Sequence, residues 1–179
     1  MPVSRPRPAD AVERVRKTMR KPPPLLLTSA AVALTGAVGG AATDVRSPWY
    51  RRLDKPSWQP PGAVFGPVWS ALYVLLAGAG ARTLVRLEQT ESARNRYVTA
   101  YAVNLILNAG WSWTFFRAKK LVPALTEVLL LEASTVDLAR RSMQVDRAAG
   151  VALLPYAAWV TFATALAAEL ARRNRARGL

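Results

Sequence analysis

Four side chains on one stretch of this 179-residue chain have the types and spacing to hold a small molecule. Asn104, Asn108, Trp111 and Phe115 fall at i, i+4, i+7 and i+11, so a helix through them carries all four on one face. The amides supply donors and acceptors, and the rings supply flat apolar surface. The amides also have a second reading, as hydrogen-bond partners of neighbouring helices inside a bilayer. Upstream, Phe65, Trp69 and Tyr73 repeat every four residues; downstream, Trp159 stands one turn before Ala163, whose small side chain leaves room for a bulky guest. Trp69 and Trp159 lie deeper in their apolar runs than the interfacial belt where tryptophan concentrates. Aromatic faces, amides and a gap suit the binding of a flat apolar molecule by stacking and shape.

Other chemistries are excluded by composition. The chain has no Cys and no His. Disulfides, thiol nucleophiles, the usual zinc sites and haem ligation through imidazole or thiolate are therefore unavailable. Met19 sits in the basic N-terminal arm and Met143 near a predicted helix end, so neither is an obvious axial ligand. No Gly-rich phosphate loop or Ser/His/Asp set is present, which argues against an ordinary hydrolase or an ATP-driven pump. The net charge of +14 would fit nucleic acid. The 25 Lys and Arg are spread over every connecting segment and both tails, however, and nucleic acid is not an expected partner. They read as juxtamembrane cations that meet anionic lipid headgroups.

The elements that must position these residues are long and apolar. Charges are absent from 22–43, 56–81, 97–116 and 148–168. Each gap matches the roughly 20 apolar residues a helix needs to cross a hydrocarbon core. With a more polar segment at 121–143, they predict an all-α integral membrane bundle of five transmembrane helices over 25–43, 62–81, 97–116, 121–143 and 148–170. A basic arm (1–24) precedes the domain (25–174), and a basic tail (175–179) follows it. The order of cations, apolar run and Ala41–Ala42 also resembles a secretory signal, but the run is long for a signal core. In the first span, Ala33, Ala37 and Ala41 beside Gly36 and Gly40 allow close helix approach. The connection 44–61 should be stiff, because it holds Pro48, Pro56, Pro60 and Pro61 together with Trp49, Tyr50 and Trp58. In the fourth span Asp137 and Arg141 can pair at i,i+4, whereas Glu127 and Glu132 lie about 140° apart around the helix and have no shared partner. Pro67 lies in the first two turns of the second span, and Pro155 should bend the fifth. Lys and Arg divide 14 to 11 between the two sides, too evenly to fix orientation.

Three blocks carry a resemblance. Residues 49–73 read W-Y-R-R-L-D-K-P-S-W-Q-P-P-G-A-V-F-G-P-V-W-S-A-L-Y, the third span contains N-L-I-L-N-A-G-W-S-W-T-F-F, and the fifth contains P-Y-A-A-W-V-T-F-A-T. In this order and spacing the chain resembles the tryptophan-rich sensory protein family, also called the translocator protein or peripheral benzodiazepine receptor family (TspO/MBR), over 25–174. The resemblance implies a five-helix homodimeric membrane protein with a pocket beneath the first loop for porphyrins such as protoporphyrin IX or haem, and for benzodiazepine-type ligands. By position it assigns Tyr50, Trp69, Asn104, Asn108, Trp111, Trp159 and Ala163 to the pocket, and Trp49, Lys55, Pro56, Trp58, Pro60 and Pro61 to the loop that closes it. No covalent cofactor or metal is implied.

The expected function is a membrane receptor or sensor for tetrapyrroles and related flat apolar ligands. A porphyrin-degrading enzyme dependent on light and oxygen, working through Trp69 and Trp159, and a small-molecule transporter are the alternatives. Departures from the family pattern are Ala63, where many members carry Trp, and Ala167 to Arg172, which lacks the Tyr of the sterol-recognition pattern. Glu132 and Asp137 also stand in a helix that is usually more apolar. The expected location is a bacterial cell membrane, crossed several times.

Overall fold

Prolines open the helices of this chain and glycines let them approach. The computed structural model describes residues 22–175, and over them every regular element is helical. The arm expected over 1–24 and the tail over 175–179 lie outside the described residues, apart from 22–24 and Arg175. Helix α1 (Pro24–Ala42) starts on a proline whose missing N–H costs no bond in a first turn. The connection after it contains α2 (Pro48–Arg52), a short helix capped by Ser47, whose Oγ accepts the Tyr50 N–H at 3.3 Å. Then follow α3 (Gly62–Arg86), with Pro67 in its second turn, and α4 (Glu91–Ser112).

α4 does not stop at Ser112 but widens into a π-helical turn, Trp113–Arg117. There the Ala118 N–H reaches back five residues to the Trp113 carbonyl, at 2.9 Å. Lys119, at φ 58°, reverses the chain into α5 (Leu121–Val145). The fifth segment is divided rather than bent. α6 (Arg147–Ala152) closes with the Leu153 N–H on the Gly150 carbonyl at 3.1 Å, and α7 (Leu154–Asn174) begins afresh with Pro155 in its first turn. Proline has no N–H to continue the ladder, so a new helix start accommodates it at less cost than a bend.

α5 lies along α7 and α4, and α1 lies along α3 and α4. Leu76, Val128, Leu138, Leu153, Tyr156 and Val160 are fully buried in the main core. A second cluster of Leu53, Phe115, Phe116, Leu121, Leu166 and Leu170 sits beneath the first connection. The outer surface reverses the pattern of a water-soluble fold: Leu34 on α1, Val74 on α3, Ile106 on α4 and Val122 on α5 are each more than 60% exposed. Apolar residues turned outward from four helices are what hydrocarbon solvates and water does not.

Five crossings were expected from the charge pattern. Three helical stretches are long and apolar enough to cross a membrane: Pro24–Ala42, Gly62–Arg86 and Arg147–Asn174. α4 falls short because its first turns carry Glu91, Arg94 and Arg96, and the charge-free stretch 97–116 runs on into the π turn. α5 falls short because it carries Glu127, Glu132 and Asp137. Asp137 binds Arg141 at 2.5 Å and Arg140 at 3.0 Å, the i,i+4 pair expected with one more partner. Glu132 Oε1 accepts the Thr161 hydroxyl at 2.7 Å, and Glu127 lies across the bare Cα of Gly110, where a Cβ would collide with it.

Candidate functional site: an aromatic cavity beneath the first connection

The alternating run of the helices gathers parts of five helices at one side of the bundle. They are the last turns of α1 and α4, the first turns of α3, and the facing stretches of α5 and α7. Small residues on α1 (Gly36, Gly39 and Gly40) keep that wall flat, and the space left between these parts is a cavity of about 540 Å³. That volume falls within the range of small-molecule sites.

Phe65 and Trp69 enter from α3, Asn108, Trp111 and Phe115 from α4 and its π turn, and Trp159 and Ala163 from α7; Tyr50 enters from α2. Trp111 and Phe115 stack at 5.0 Å with 17° between their planes, which leaves a continuous flat wall. Phe65 meets Trp159 edge-on at 5.8 Å, and Trp69 meets Tyr156 edge-on at 6.2 Å. The indole N–H groups of Trp111 and Trp159 have no hydrogen-bond partner. A buried donor without a partner is expensive, so each is a place where a guest's acceptor gains a bond at little cost. Gln59 Oε1 is likewise unpartnered, while its amide nitrogen donates to the Tyr50 hydroxyl at 3.0 Å.

Asn104 is not in the cavity wall. It shares a helical face with Asn108 but is fully buried one turn away. There it donates to Thr135 Oγ1 at 2.9 Å and accepts from the Tyr156 hydroxyl at 3.0 Å. The interhelical reading describes Asn104, and Asn108 combines both readings. It lines the cavity, accepts from the Tyr73 hydroxyl at 2.8 Å and donates to Tyr156 at 3.0 Å. Tyr73 and Tyr156 were not singled out as site residues. Tyr73 was visible in the four-residue repeat with Phe65 and Trp69, and Tyr156 within the P-Y-A-A-W block. The cavity-lining glycines of α1 were legible only as a packing surface.

Of the closing connection, Tyr50, Gln59 and Val45 border the cavity. Trp49, Lys55, Pro56, Trp58, Pro60 and Pro61 do not border it, although Trp49 and Lys55 pack on residues that do. Trp49 packs edge-on against Phe115 at 5.5 Å, and Trp58 against Phe162 at 5.9 Å. Lys55 lies 4.5 Å over the Tyr50 ring and donates to the Tyr50 carbonyl. Pro56 is buried, Pro60 is half-buried and Pro61 caps α3. Burial pushes the Tyr50 phenol above and the Lys55 ammonium below their usual ranges. The connection is anchored from below by Asn174, the last residue of α7. Its side chain accepts the Asp54 N–H at 2.9 Å and donates to the Asp54 carbonyl at 3.1 Å.

Trp113 faces the other way. Its indole donates to the Val38 carbonyl at 3.1 Å, and Arg117 donates to the Ala41 carbonyl at 2.8 Å. The π turn thus satisfies carbonyls in the last turn of α1, which has no basic residue of its own there. Among the described residues, no cluster of acidic side chains is arranged to hold a metal ion.

The comparisons with known proteins cover these same helices. Residues 27–173 match the model of the TspO/MBR family, from the first turn of α1 to the last of α7. The tryptophan-rich sensory protein of Cereibacter sphaeroides is 36% identical over 126 residues, 70% of this chain and 77% of that one. The tryptophan-rich protein TspO of Chlorobaculum tepidum is 34% identical over 132 residues, 73% of this chain and 83% of its own. The translocator protein of Homo sapiens is 34% identical over 118 residues, 66% of this chain and 70% of its own. A family match that takes in every helix walling the cavity, on a bundle with an apolar exterior, means that this chain is a membrane protein belonging to the TspO/MBR family.

Proposed function

We propose that the chain is a membrane receptor that binds a tetrapyrrole, or a similar flat apolar ligand, in the aromatic cavity beneath the first connection. One observation carries the reading. A cavity of about 540 Å³ is walled by Trp69, Trp111 and Trp159, and two of those indoles have unpartnered N–H groups. The rings offer stacking surface to a macrocycle, and the donors offer bonds to its polar edge. Without His or Cys, affinity should depend little on a central metal.

The same reading takes all five long segments across the membrane. α4 and α5 have 22 and 25 residues, enough to span, and Ile106 and Val122 are turned outward on them as Leu34 and Val74 are on α1 and α3. Bacterial relatives support a bacterial cell membrane as the location. A homodimer is the assembly to test, by crosslinking in native membranes.

The test is a dark titration of the detergent-purified protein with protoporphyrin IX, followed by tryptophan fluorescence. Saturable quenching in the low-micromolar range, about 8 kcal/mol of binding free energy, is expected for the parent. Trp69→Phe and Trp159→Phe should each weaken it, and Trp113→Phe, whose indole faces α1, should not. Linear quenching in all four proteins would mean partition into the micelle and would sink the assignment.

A further inference from the structure

Behind the cavity wall, hydroxyls and amides form a chain with a fixed direction. It runs from Tyr73 on α3 to Asn108 on α4, on to Tyr156 on α7, back to Asn104 on α4, and across to Thr135 on α5. The links measure 2.8, 3.0, 3.0 and 2.9 Å. The last bond goes from Thr135 Oγ1 to the Leu131 carbonyl, at 2.8 Å.

That carbonyl decides the rest, because it has no hydrogen to give. Thr135 commits its one hydrogen to Leu131 and can only accept from Asn104. Asn104 therefore turns its NH2 to Thr135 and its oxygen to Tyr156. Tyr156 must donate to that oxygen, so its own oxygen accepts from the Asn108 NH2. The Asn108 oxygen then faces Tyr73, which must donate. Each step follows from the inventory of donors and acceptors rather than from the placing of hydrogens.

We propose that Tyr73 is a specificity-determining residue of the cavity and that its selectivity is for ligands with an N–H or O–H donor. The inference rests on the cavity being the ligand site. Tyr73 borders the cavity with its hydrogen already committed inward, so it has only oxygen lone pairs to offer a guest. Aligned bonds polarise one another, which makes that oxygen a better acceptor than an isolated phenol. The unpartnered indoles of Trp111 and Trp159 are donors, so the cavity presents opposite preferences at different points of its wall. Thr135 does not border the cavity and acts as the positioning residue, through the direction it imposes.

The experiment compares 2-phenylindole with 2-phenylbenzofuran, flat apolar probes of one shape that differ by an N–H in place of a ring oxygen. Both are titrated calorimetrically into the detergent-purified protein, with protoporphyrin IX as competitor. About a tenfold preference for the indole is expected, the worth of one hydrogen bond in a dry site. Tyr73→Phe should reduce the preference to less than about twofold. Thr135→Val should also reduce it while leaving Tyr73 in place, because Asn104 is then free to turn over and the whole chain can reverse. Asn104 retains only a 3.4 Å contact from its amide nitrogen to Ser134, whose hydroxyl donates as readily as it accepts.

Equal affinities in the parent, or a preference that survives Thr135→Val, overturn the inference. Porphyrin binding with neither probe bound also overturns it and leaves the receptor reading standing. Probes that bind with the expected preference in a protein that ignores porphyrin support the inference and remove the tetrapyrrole.

Discussion

The two halves of the bundle use the same residue types to opposite ends. On the side of the first connection the glycines of α1 line the cavity: Gly40 has nothing within 4 Å of an added Cβ, while Gly36 lies against the Tyr73 ring. On the far side, glycine and tyrosine close the gap. A Cβ on Gly80 would stand 2.6 Å from the Tyr101 ring, and one on Gly150 would stand 2.5 Å from the Met143 Cα. Tyr101 donates to the Leu76 carbonyl at 3.2 Å and Tyr97 bonds Ser142 at 2.9 Å, so the far tyrosines spend their hydroxyls on neighbouring helices. At Gly40 a missing side chain borders open space, whereas at Gly80 and Gly150, and at Gly36 beside the cavity, it lets a backbone or a ring come into contact. Glycine content alone does not distinguish them; what stands opposite each glycine does.

The contrast is broken most directly by adding a methyl group to each half. Gly150→Ala meets backbone atoms of α5 that cannot step aside, and should cost about 3 kcal/mol in thermal unfolding in detergent. Gly40→Ala, with nothing within 4 Å of its new carbon, should be neutral or stabilise by about 0.5 kcal/mol. Equal losses at the two positions would abolish the distinction.

Tyr156→Phe tests the boundary between the halves. It strips a partner from both Asn104 and Asn108, and should cost about 2 kcal/mol in stability as well as weakening porphyrin quenching. A loss confined to stability would detach the buried chain from the cavity.

Asn174→Ala acts only on the cover. It removes two bonds to Asp54, should cost about 1 kcal/mol, and should speed porphyrin release in stopped-flow dissociation while association changes little. Unchanged release would mean that the connection is held by its other contacts, the Arg173–Asp54 pair and its aromatic packing among them.

The smallest effect lies at the far end. Asp146 accepts the Ala149 N–H at 3.0 Å and pairs with Arg82 at 2.9 Å, which together hold its carboxyl below the usual carboxylate range. Its contribution is present above the ordinary carboxylate pKa and is lost as pH falls through the lowered one. Melting temperature should therefore drop on acidification, with a shallower slope in Asp146→Asn. An unchanged slope would assign the acid sensitivity elsewhere.

Much of this was legible in the sequence, for identifiable reasons. Helical spacing pointed to Trp69, Asn108, Trp111 and Phe115, which the structure brings to one cavity with Trp159, because a helix in lipid keeps its periodicity. Asn104 shows the limit. One face carries residues at several depths, and depth depends on partners such as Tyr156 and Thr135 that no local pattern reveals. The π turn was hidden because an extra residue per turn leaves no mark in composition. Pro155 gave the place of the break in the last segment but not its form, which depended on the Gly150 carbonyl being free to close α6. Charge gaps measured apolar length well for α1, α3 and the last segment; α4 and α5 are less clear-cut because α4 opens on Glu91, Arg94 and Arg96 and α5 carries Glu127, Glu132 and Asp137.

The one-way run of hydrogen bonds from Tyr73 to Leu131 also has an electrostatic sense. Every hydrogen in it points from the Tyr73 end toward the Leu131 carbonyl, so the aligned bonds add to a dipole whose negative end lies at the Tyr73 oxygen. For a ligand held in that cavity, an anionic group would be disfavoured beside the Tyr73 oxygen, which would give an amphiphilic guest a preferred orientation. The interior would then act as a compass for an amphiphilic ligand before any side chain had moved.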